Sequence, residues 1–214
     1  MNEFIIRLKT SILLIICLYI STYSSIFLFL ILLFGLNQMI FEFYNLFSKI
    51  FKNKKKLIFI SQFVIILLTT YLITFVWLSL SSENTPQKII FFFIITVTIS
   101  TDIGGYCFGK IFKGKKITKL SPKKTYSGMI GSYLFSILFS FLIFKSFMSI
   151  NEIIILSVIL SLFSQLGDLL VSFIKRMAKV KDTGNLLPGH GGLLDRFDGL
   201  ILALPIGSIL YKII

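Results

Sequence analysis

Charged side chains and glycines are concentrated in residues 165 to 200 of a sequence that is otherwise rich in apolar residues. If this segment begins as a helix turning about 100° per residue, Ser172 and Lys175 lie at about 40° and −20° from Asp168. One helix face then presents a carboxylate, a hydroxyl and an ammonium group, and Arg176 flanks that face. We expect these four side chains to line a polar site.

Asp195 and Asp198 add two carboxylates farther along the chain, and their i,i+3 spacing places them on one helix face. Carboxylates that share a polar cleft repel one another unless a divalent cation neutralises them. Oxygen ligands without a thiolate cluster suit Mg²⁺. We therefore predict that Asp168, Asp195 and Asp198 bind Mg²⁺.

A glycine-rich loop from Pro188 to Gly192 lies between these acids and contains the only histidine, His190. Glycines allow backbone N–H groups to face a phosphate. We expect His190 to contact a substrate rather than to act as a general base, because a phosphate monoester is already anionic near neutral pH. Acids for a metal, basic residues for phosphate and a glycine loop together favour nucleotidyl or phosphoryl transfer.

Asp102 lies about two helical turns inside the predicted end of an apolar segment, where an acid without a partner is costly. The neighbouring Gly104 and Gly105 allow another helix or a ligand to come close. The alternative interpretation is an ion pair between Asp102 and a lysine that only holds helices together.

A second polar block, Ser121 to Thr125, precedes another apolar segment. Its proline and hydroxyl residues are typical of a helix N-terminus, where free N–H groups favour an anion. Lys123 and Lys124 add positive charge that suits phosphate. Alternatively, these lysines only mark membrane topology or bind lipid headgroups.

The composition indicates how these residues are positioned. Hydrophobic residues make up 56% of the 214 residues, and the mean hydropathy is +0.92, whereas soluble domains are about 45–50% apolar. Several apolar runs approach the ~20 residues that cross a bilayer. We predict an all-α polytopic transmembrane bundle of about seven helices, with six as the alternative. Two crossings are predicted within residues 11 to 48, the first from 11 to 22, and others at 57 to 80, 88 to 108, 126 to 147, 152 to 174 and 199 to 213.

The charged loops at 49 to 56, 109 to 125 and 175 to 198 are predicted to be cytoplasmic, because positive loops stay on that side. The net charge of +13 therefore has a topological cause and does not indicate nucleic-acid binding. Residues 1–87 are predicted to form N-terminal transmembrane helices, and 88–214 a catalytic region of the same integral membrane domain. Glu42, inside an apolar stretch, is expected to reach the lipid headgroups.

The fixed positions of residues 172–198, here called the signature segment, resemble the signature of the phosphatidate cytidylyltransferases, also called CDP-diacylglycerol synthases. The matching positions are Ser172, Lys175, Arg176, Lys181, Asp182, Gly184, Pro188, His190, Gly191, Gly192, Asp195, Arg196 and Asp198. Asp102 and the block Ser121 to Thr125 resemble the family's other two blocks, in the same order. The N-terminal helices match only in being apolar, and the chain looks short for the family. Ser127 and Val171 depart from the pattern, which usually has acids at these positions.

The resemblance implies an enzyme of the bacterial inner membrane, with its active site facing the cytoplasm. Such an enzyme joins CTP to phosphatidic acid, which gives CDP-diacylglycerol and pyrophosphate. Acyl chains are expected to enter between helices at Gly128, Gly131 and Ser132. The protein partner that we keep open is a second copy of the chain, in a homodimer.

The resemblance also implies roles for individual residues. Asp168 and Asp195 would hold a metal pair, Mg²⁺ and a second cation, with Asp198 in support. Lys175, Arg176 and Lys181 would be phosphate partners. The catalytic candidates are Asp168, Lys175, Arg176 and Asp195. The substrate-binding candidates are Asp102, Ser121, Lys123, Lys124, Thr125, Ser172, Lys181, Asp182, His190, Gly191, Gly192 and Arg196.

Two other classes of protein stay open as alternatives. A CTP-dependent polyprenol or phytol kinase would use similar parts to transfer the γ-phosphate to an alcohol. A transporter would explain Asp102 and Asp168 as parts of an ion path. A transporter does not require the glycine loop and its flanking acids.

Overall fold

The structure is a computed structural model that describes residues 24–52, 54–81, 85–118, 121, 124–186 and 191–211, together with positions 12, 16, 19 and 20. The predicted first crossing at 11 to 22 lies largely outside the described residues. Seven α-helices occupy the described part of the chain. They are α1 (Ser25–Phe51), α2 (Lys55–Ser81), α3 (Thr85–Phe112), α4 (Tyr126–Phe144), α5 (Ile150–Met177), α6 (Leu194–Phe197) and α7 (Leu200–Leu210).

The long helices form where the sequence is continuously apolar. Each of α1 to α5 is long and apolar enough to cross a membrane, whereas α7 has only 11 residues and contains Pro205. The predicted spans between 57 and 174 coincide with α2 to α5 within a few residues. Charged residues mark the ends, since α2 begins at Lys55 and the last turn of α5 carries Lys175 and Arg176. The prediction of an all-α membrane protein is confirmed.

The chain divides into two compact units, and α5 contributes to both. The first unit contains residues 1–82 and 174–197. In it α1 packs against α2, where Gln62 donates its Nε2–H to the carbonyl of Ile40 at 2.8 Å and Phe29 meets Trp77 edge to face. Phe43 on α1 is fully buried. Residues 174–197 of the signature segment thus belong to the same unit as α1 and α2.

The second unit contains residues 83–173 and 198–214, and close packing between α3 and α4 dominates it. A Cβ on Gly131 would overlap the side chain of Phe108, and a Cβ on Gly105 would lie 2.8 Å from the hydroxyl of Ser132. Ser132 also donates to the carbonyl of Thr101 at 2.8 Å. Gly128, Gly131 and Ser132 are buried in α4. Gly131 is thus in close contact with α3, whereas Gly128 and Ser132 also line a cavity, and the entry of acyl chains at these three residues stays a prediction.

Candidate active site

A polar cavity of about 270 Å³ lies within the second unit. It opens where the C-terminal half of α3, the loop before α4, the start of α4 and the C-terminal part of α5 come together. The polar lining residues are Thr101, Asp102, Tyr106, Ser121, Lys124, Thr125, Ser132, Gln165 and Asp168. The cavity thus combines Asp102, the polar block before α4 and Asp168, which come from three separate parts of the sequence.

Lys124 and Asp168 form an ion pair in this cavity, with 2.6 Å between Nζ and Oδ2. Lys124 also donates to the carbonyl of Gln165 at 3.3 Å, and Ser172 donates to Oδ1 of Asp168 at 3.4 Å. The side chains of Lys124 and Asp168 remain 24% and 31% exposed. Because a carboxylate has about four acceptor directions, Asp168 is held in place and still able to accept a ligand.

Asp102 lines the same cavity with an exposed side chain. Among the described residues that line this cavity, the ion pair with a lysine is made by Asp168 and not by Asp102. The described charged groups of the lining are thus two carboxylates and one ammonium. This excess of negative charge favours a cation, and the donors are the hard oxygens that Mg²⁺ prefers.

The N-terminus of α4 forms as the sequence predicts. Thr125 is the N-cap, and its hydroxyl accepts the N–H of Gly128 at 3.1 Å. Lys124 comes directly before this cap, whereas Lys123 lies outside the described residues. The cap fixes the direction in which the chain enters α4, so that Ser121, Lys124 and Thr125 all reach the cavity.

Ser127, one of the two departures from the family pattern, has a local role. Its hydroxyl donates to the carbonyl of Lys113 at 3.2 Å and lies 3.0 Å from the hydroxyl of Thr125. It also faces Gly114, whose φ of 144° suits glycine. Ser127 therefore ties the start of the loop after α3 to the first turn of α4. Val171, the other departure, is fully buried.

Asp195 organises a separate cluster in the first unit. Its Oδ1 accepts the ammonium of Lys175 at 2.7 Å. Its Oδ2 accepts the N–H of Thr183 at 2.8 Å and the N–H of Gly192 at 3.0 Å, and it lies 3.1 Å from the hydroxyl of Thr183. Burial alone would raise the pKa of Asp195, but the hydrogen bonds from Lys175, Thr183 and Gly192 outweigh it and hold the pKa below its usual value.

Glu42 on α1 is part of the same cluster, and sequence reasoning did not find this role. Its side chain is 1% exposed, so the expectation that it reaches the lipid headgroups is wrong. The carboxylate accepts four hydrogen bonds, from Gln38 Nε2 at 2.9 Å, Thr183 Oγ1 at 2.7 Å, Leu193 N at 2.8 Å and Leu194 N at 3.0 Å. Glu42 therefore attaches the signature segment to α1.

Two signature glycines make room for this carboxylate. A Cβ on Gly184 would lie 3.1 Å from Oε1 of Glu42, and a Cβ on Gly192 would overlap Oε2 of Glu42 and the hydroxyl of Thr183. Gly191 has φ 81°, a conformation that L side chains rarely adopt. The glycine-rich loop predicts backbone N–H groups that face a phosphate, but the Gly192 N–H donates to Asp195.

The remaining signature residues lie at the surface of their units. Arg176, Lys181, Asp182 and Arg196 have exposed side chains. Asp198, in the second unit, accepts the N–H of Gly199 at 2.8 Å, and its own carbonyl packs against Gly167, the residue before Asp168. Pro188 and His190 lie outside the described residues.

The described residues contain no group of three or more His, Cys, Asp or Glu side chains that is close enough to hold a metal ion. The predicted ligands Asp168 and Asp198 belong to the second unit, and Asp195 to the first. Mg²⁺ commonly binds through one or two carboxylates, several waters and substrate phosphates. The lining formed by Asp102 and Asp168 fits that pattern.

Curated proteins resemble the chain over part of its length. It is 49% identical over 115 residues to the phosphatidate cytidylyltransferase of Staphylococcus aureus (strain COL), which covers 51% of this chain and 44% of the relative. It is 42% identical over 123 residues to the phosphatidate cytidylyltransferase of Staphylococcus saprophyticus, and the match covers 55% of this chain and 47% of that relative. It is 39% identical over 153 residues to the phosphatidate cytidylyltransferase of Rickettsia felis, and the match covers 67% of this chain and 65% of that relative. The chain spans about half the length of the staphylococcal relatives it matches.

The sequence profile of the cytidylyltransferase family matches residues 2–214. This match covers all seven described helices, the polar cavity and the cluster around Asp195. The three blocks from which we inferred a resemblance lie inside it. The chain therefore belongs to the cytidylyltransferase family.

Proposed function

We propose that this protein transfers the cytidylyl group of CTP to phosphatidic acid and releases pyrophosphate. The observation that carries the proposal is the polar cavity in which Asp102, Lys124 and Asp168 face the same space. The similarity to phosphatidate cytidylyltransferases of Staphylococcus and Rickettsia supports the choice of reaction.

In the proposed reaction, an oxygen of the lipid phosphate attacks the α-phosphorus of CTP. The bond between that phosphorus and the oxygen bridging to the β-phosphorus breaks, and pyrophosphate leaves with the bonding electron pair. The attacking phosphate is already anionic, so no side chain has to remove a proton. The contribution of the protein is therefore to orient the two phosphates and to offset their charge.

Lys124 is placed to serve both purposes. It is held by Asp168 and by the carbonyl of Gln165, so that its ammonium group is fixed at the cavity before a phosphate arrives. A phosphate oxygen can then share the ammonium with Asp168. Lys175, Arg176 and Lys181 are the further candidates for binding phosphate.

Mg²⁺, when bound, offsets the negative charge of a triphosphate. We propose that Asp168 would hold it, with Asp102 on the same cavity wall. Asp195 is the candidate within the first unit for holding a second cation. In Asp195 the Oδ1 atom accepts only Lys175 among the described hydrogen bonds, whereas Oδ2 accepts two backbone N–H groups and also lies near the Thr183 hydroxyl.

We place this activity in the bacterial inner membrane with the site on the cytoplasmic side. The support is the group of basic loops, which the positive-inside rule assigns to the cytoplasm. Phosphatidic acid would come from the bilayer and CTP from the cytoplasm.

The test is an assay of purified protein in detergent with phosphatidic acid, Mg²⁺ and CTP labelled at the α-phosphate. We expect label in the lipid and release of pyrophosphate. Asp168→Asn should lower turnover by about 10²-fold or more, because it removes a charge that acts on the phosphates. Its stability should change by less than about 1 kcal/mol, because the pair with Lys124 is partly exposed.

The matched control is Glu152→Gln, an acid in the first turn of the same helix that bonds only to the nearby Ser149. It should keep its turnover. Transfer of label only from γ-labelled CTP would indicate a kinase, and ion flux without a labelled lipid would indicate a transporter. Near-normal turnover of Asp168→Asn with Mg²⁺ would refute the metal role of this residue.

A further inference from the structure

The carboxylate of Glu42 lies inside the protein without a cationic partner among its described contacts. Its four donors, from Gln38, Thr183, Leu193 and Leu194, are all neutral. Four donors match the acceptor directions of a carboxylate. Three of the four come from the signature segment, which lies more than 140 positions away in the sequence.

Glu42 and Asp195 hold the same stretches of backbone from two sides. Of three successive N–H groups, that of Gly192 donates to Asp195, and those of Leu193 and Leu194 donate to Glu42. Thr183 is also shared, since its N–H donates to Asp195 while its hydroxyl lies 2.7 Å from Glu42 and 3.1 Å from Asp195. A hydroxyl has one proton, and the shorter contact assigns that proton to Glu42.

A buried carboxylate is a costly way to hold two segments together. Replacing buried charged groups by well-packed apolar residues is often neutral or stabilising. The neighbours Phe43 and Leu46 on α1 are apolar and 1% exposed, so the site accommodates apolar side chains. The advantage of Glu42 is directional, because its hydrogen bonds define where Thr183 and residues 192–194 lie.

We infer that Glu42 is a positioning residue for the proposed cytidylyl transfer. By fixing Thr183 and the backbone of residues 192–194, it sets the orientation of the Asp195 carboxylate and, through it, of the Lys175 ammonium. This inference rests on the proposed function for its kinetic consequence, and on the hydrogen-bond network alone for its structural consequence.

Glu42→Gln tests the kinetic consequence. Glutamine has an NH₂ group in place of one of the two carboxylate oxygens. This NH₂ group is a donor and would face another donor of the protein, so that one of the hydrogen bonds from Thr183, Leu193 or Leu194 is lost. A small displacement of a reacting group can cost about 10²-fold in rate. We therefore expect kcat to fall by about 10-fold to 10²-fold, whereas the KM for CTP changes by less than about threefold.

The matched control is Gln62→Leu. It removes the hydrogen bond between α2 and α1 but touches neither the signature segment nor the cavity. Both variants should lower the unfolding temperature in detergent, and only Glu42→Gln should lower kcat. If the two variants lose equal stability and both keep kcat within about threefold of the unmodified protein, Glu42 only supports the fold and the inference fails.

Amide hydrogen exchange tests the structural consequence without any assay of activity. In Glu42→Gln, whichever of the Leu193 and Leu194 N–H groups faces the new NH₂ group loses its direct partner and should exchange faster. If Glu42 also positions Asp195, the N–H groups of Thr183 and Gly192, which bond to Asp195, should exchange faster as well. Faster exchange confined to Leu193 and Leu194 would overturn the inference.

Thr183→Val and Thr183→Ser provide a second route if Glu42→Gln does not fold. Valine removes the hydroxyl that joins the two carboxylates, so kcat should fall and the Gly192 N–H should exchange faster. Serine keeps the hydroxyl and should retain more of the activity than valine does. Equal losses in both variants would contradict the inference. If the unmodified protein forms no CDP-lipid, the proposed function fails, and the exchange experiment still decides the role of Glu42.

Discussion

Two aspartates of the candidate site differ in how their oxygens are used. Asp168 bonds to Lys124 and weakly to Ser172, and its side chain is 31% exposed. Asp195 accepts three hydrogen bonds, lies 3.1 Å from the Thr183 hydroxyl, and has a side chain that is 9% exposed. An acid whose acceptor directions are mostly used by the protein maintains local structure, whereas an acid with free directions can take a ligand. At the residue scale, Asp168 is therefore the stronger candidate for ligand binding.

The bonds to Asp195 predict a dependence of stability on pH. The pKa of Asp195 in the folded state lies below its usual value of 3.8. At pH values between the folded and the unfolded pKa, the folded protein therefore binds fewer protons than the unfolded chain. The contribution of Asp195 to the free energy of unfolding is complete above the pKa of the unfolded state, and it is lost as the pH falls through the pKa of the folded state. Thermal unfolding from about pH 6 to about pH 3 should show stability falling at the acid end. Asp195→Asn should reduce this fall.

The exposed Asp182 gives the control for this prediction, because Asp182→Asn should keep the acid dependence of the unmodified protein. If the stability of Asp195→Asn fell with pH as steeply as that of the unmodified protein, Asp195 would not contribute to the acid dependence of stability.

At the scale of elements, glycines determine which helices approach most closely. Four glycines lie at the contact between α3 and α4, where a Cβ would come too close to atoms of the other helix. They are Gly104 and Gly105 on α3 and Gly128 and Gly131 on α4. Thr101 then reaches Ser132 on α4 and Ser161 on α5 through hydrogen bonds at 2.8 Å and 2.9 Å. These contacts set the spacing of the three helices that line the cavity.

We predict that Gly131→Ala destabilises the protein by about 1–3 kcal/mol, because its Cβ would overlap Phe108 and lie 2.8 Å from the carbonyl of Gly104. Gly35→Ala is the control, since the nearest atom to its Cβ is 3.8 Å away. Alanine is favoured over glycine inside a helix by about 1 kcal/mol, so this control should be neutral or stabilising. Thermal unfolding in detergent measures both. A tolerated Gly131→Ala would contradict the close packing of α3 and α4 at this glycine.

Apolar runs and charged ends were sufficient to predict the helices from sequence, because both features are local. Asp102, Lys124 and Asp168 were each predicted from sequence as candidate site residues, and they line one cavity. The role of Glu42 was missed, because its partners Thr183, Leu193 and Leu194 are distant in sequence. The available signals were an acid inside an apolar run and signature glycines whose purpose was unexplained.

At the scale of the whole molecule, the positions of basic loops predict the orientation in the membrane. After Cys17 and Cys107 are replaced by serine, a cysteine at Lys54 or Lys181 should react with an impermeant thiol reagent only in opened cells. Met148→Cys, between α4 and α5, should react in intact cells. Labelling of position 181 from outside would contradict a cytoplasmic signature segment.

The neutral surroundings of Glu42 also have a consequence for ionic strength. Dissolved salt weakens attraction between partly exposed opposite charges much more than it weakens hydrogen bonds inside a protein. The pair formed by Lys124 and Asp168 is therefore open to screening, whereas the bonds from Leu193 and Leu194 to Glu42 are shielded from it. In concentrated electrolyte, the cavity would lose its internal ion pair first, while the attachment of the signature segment to α1 would persist.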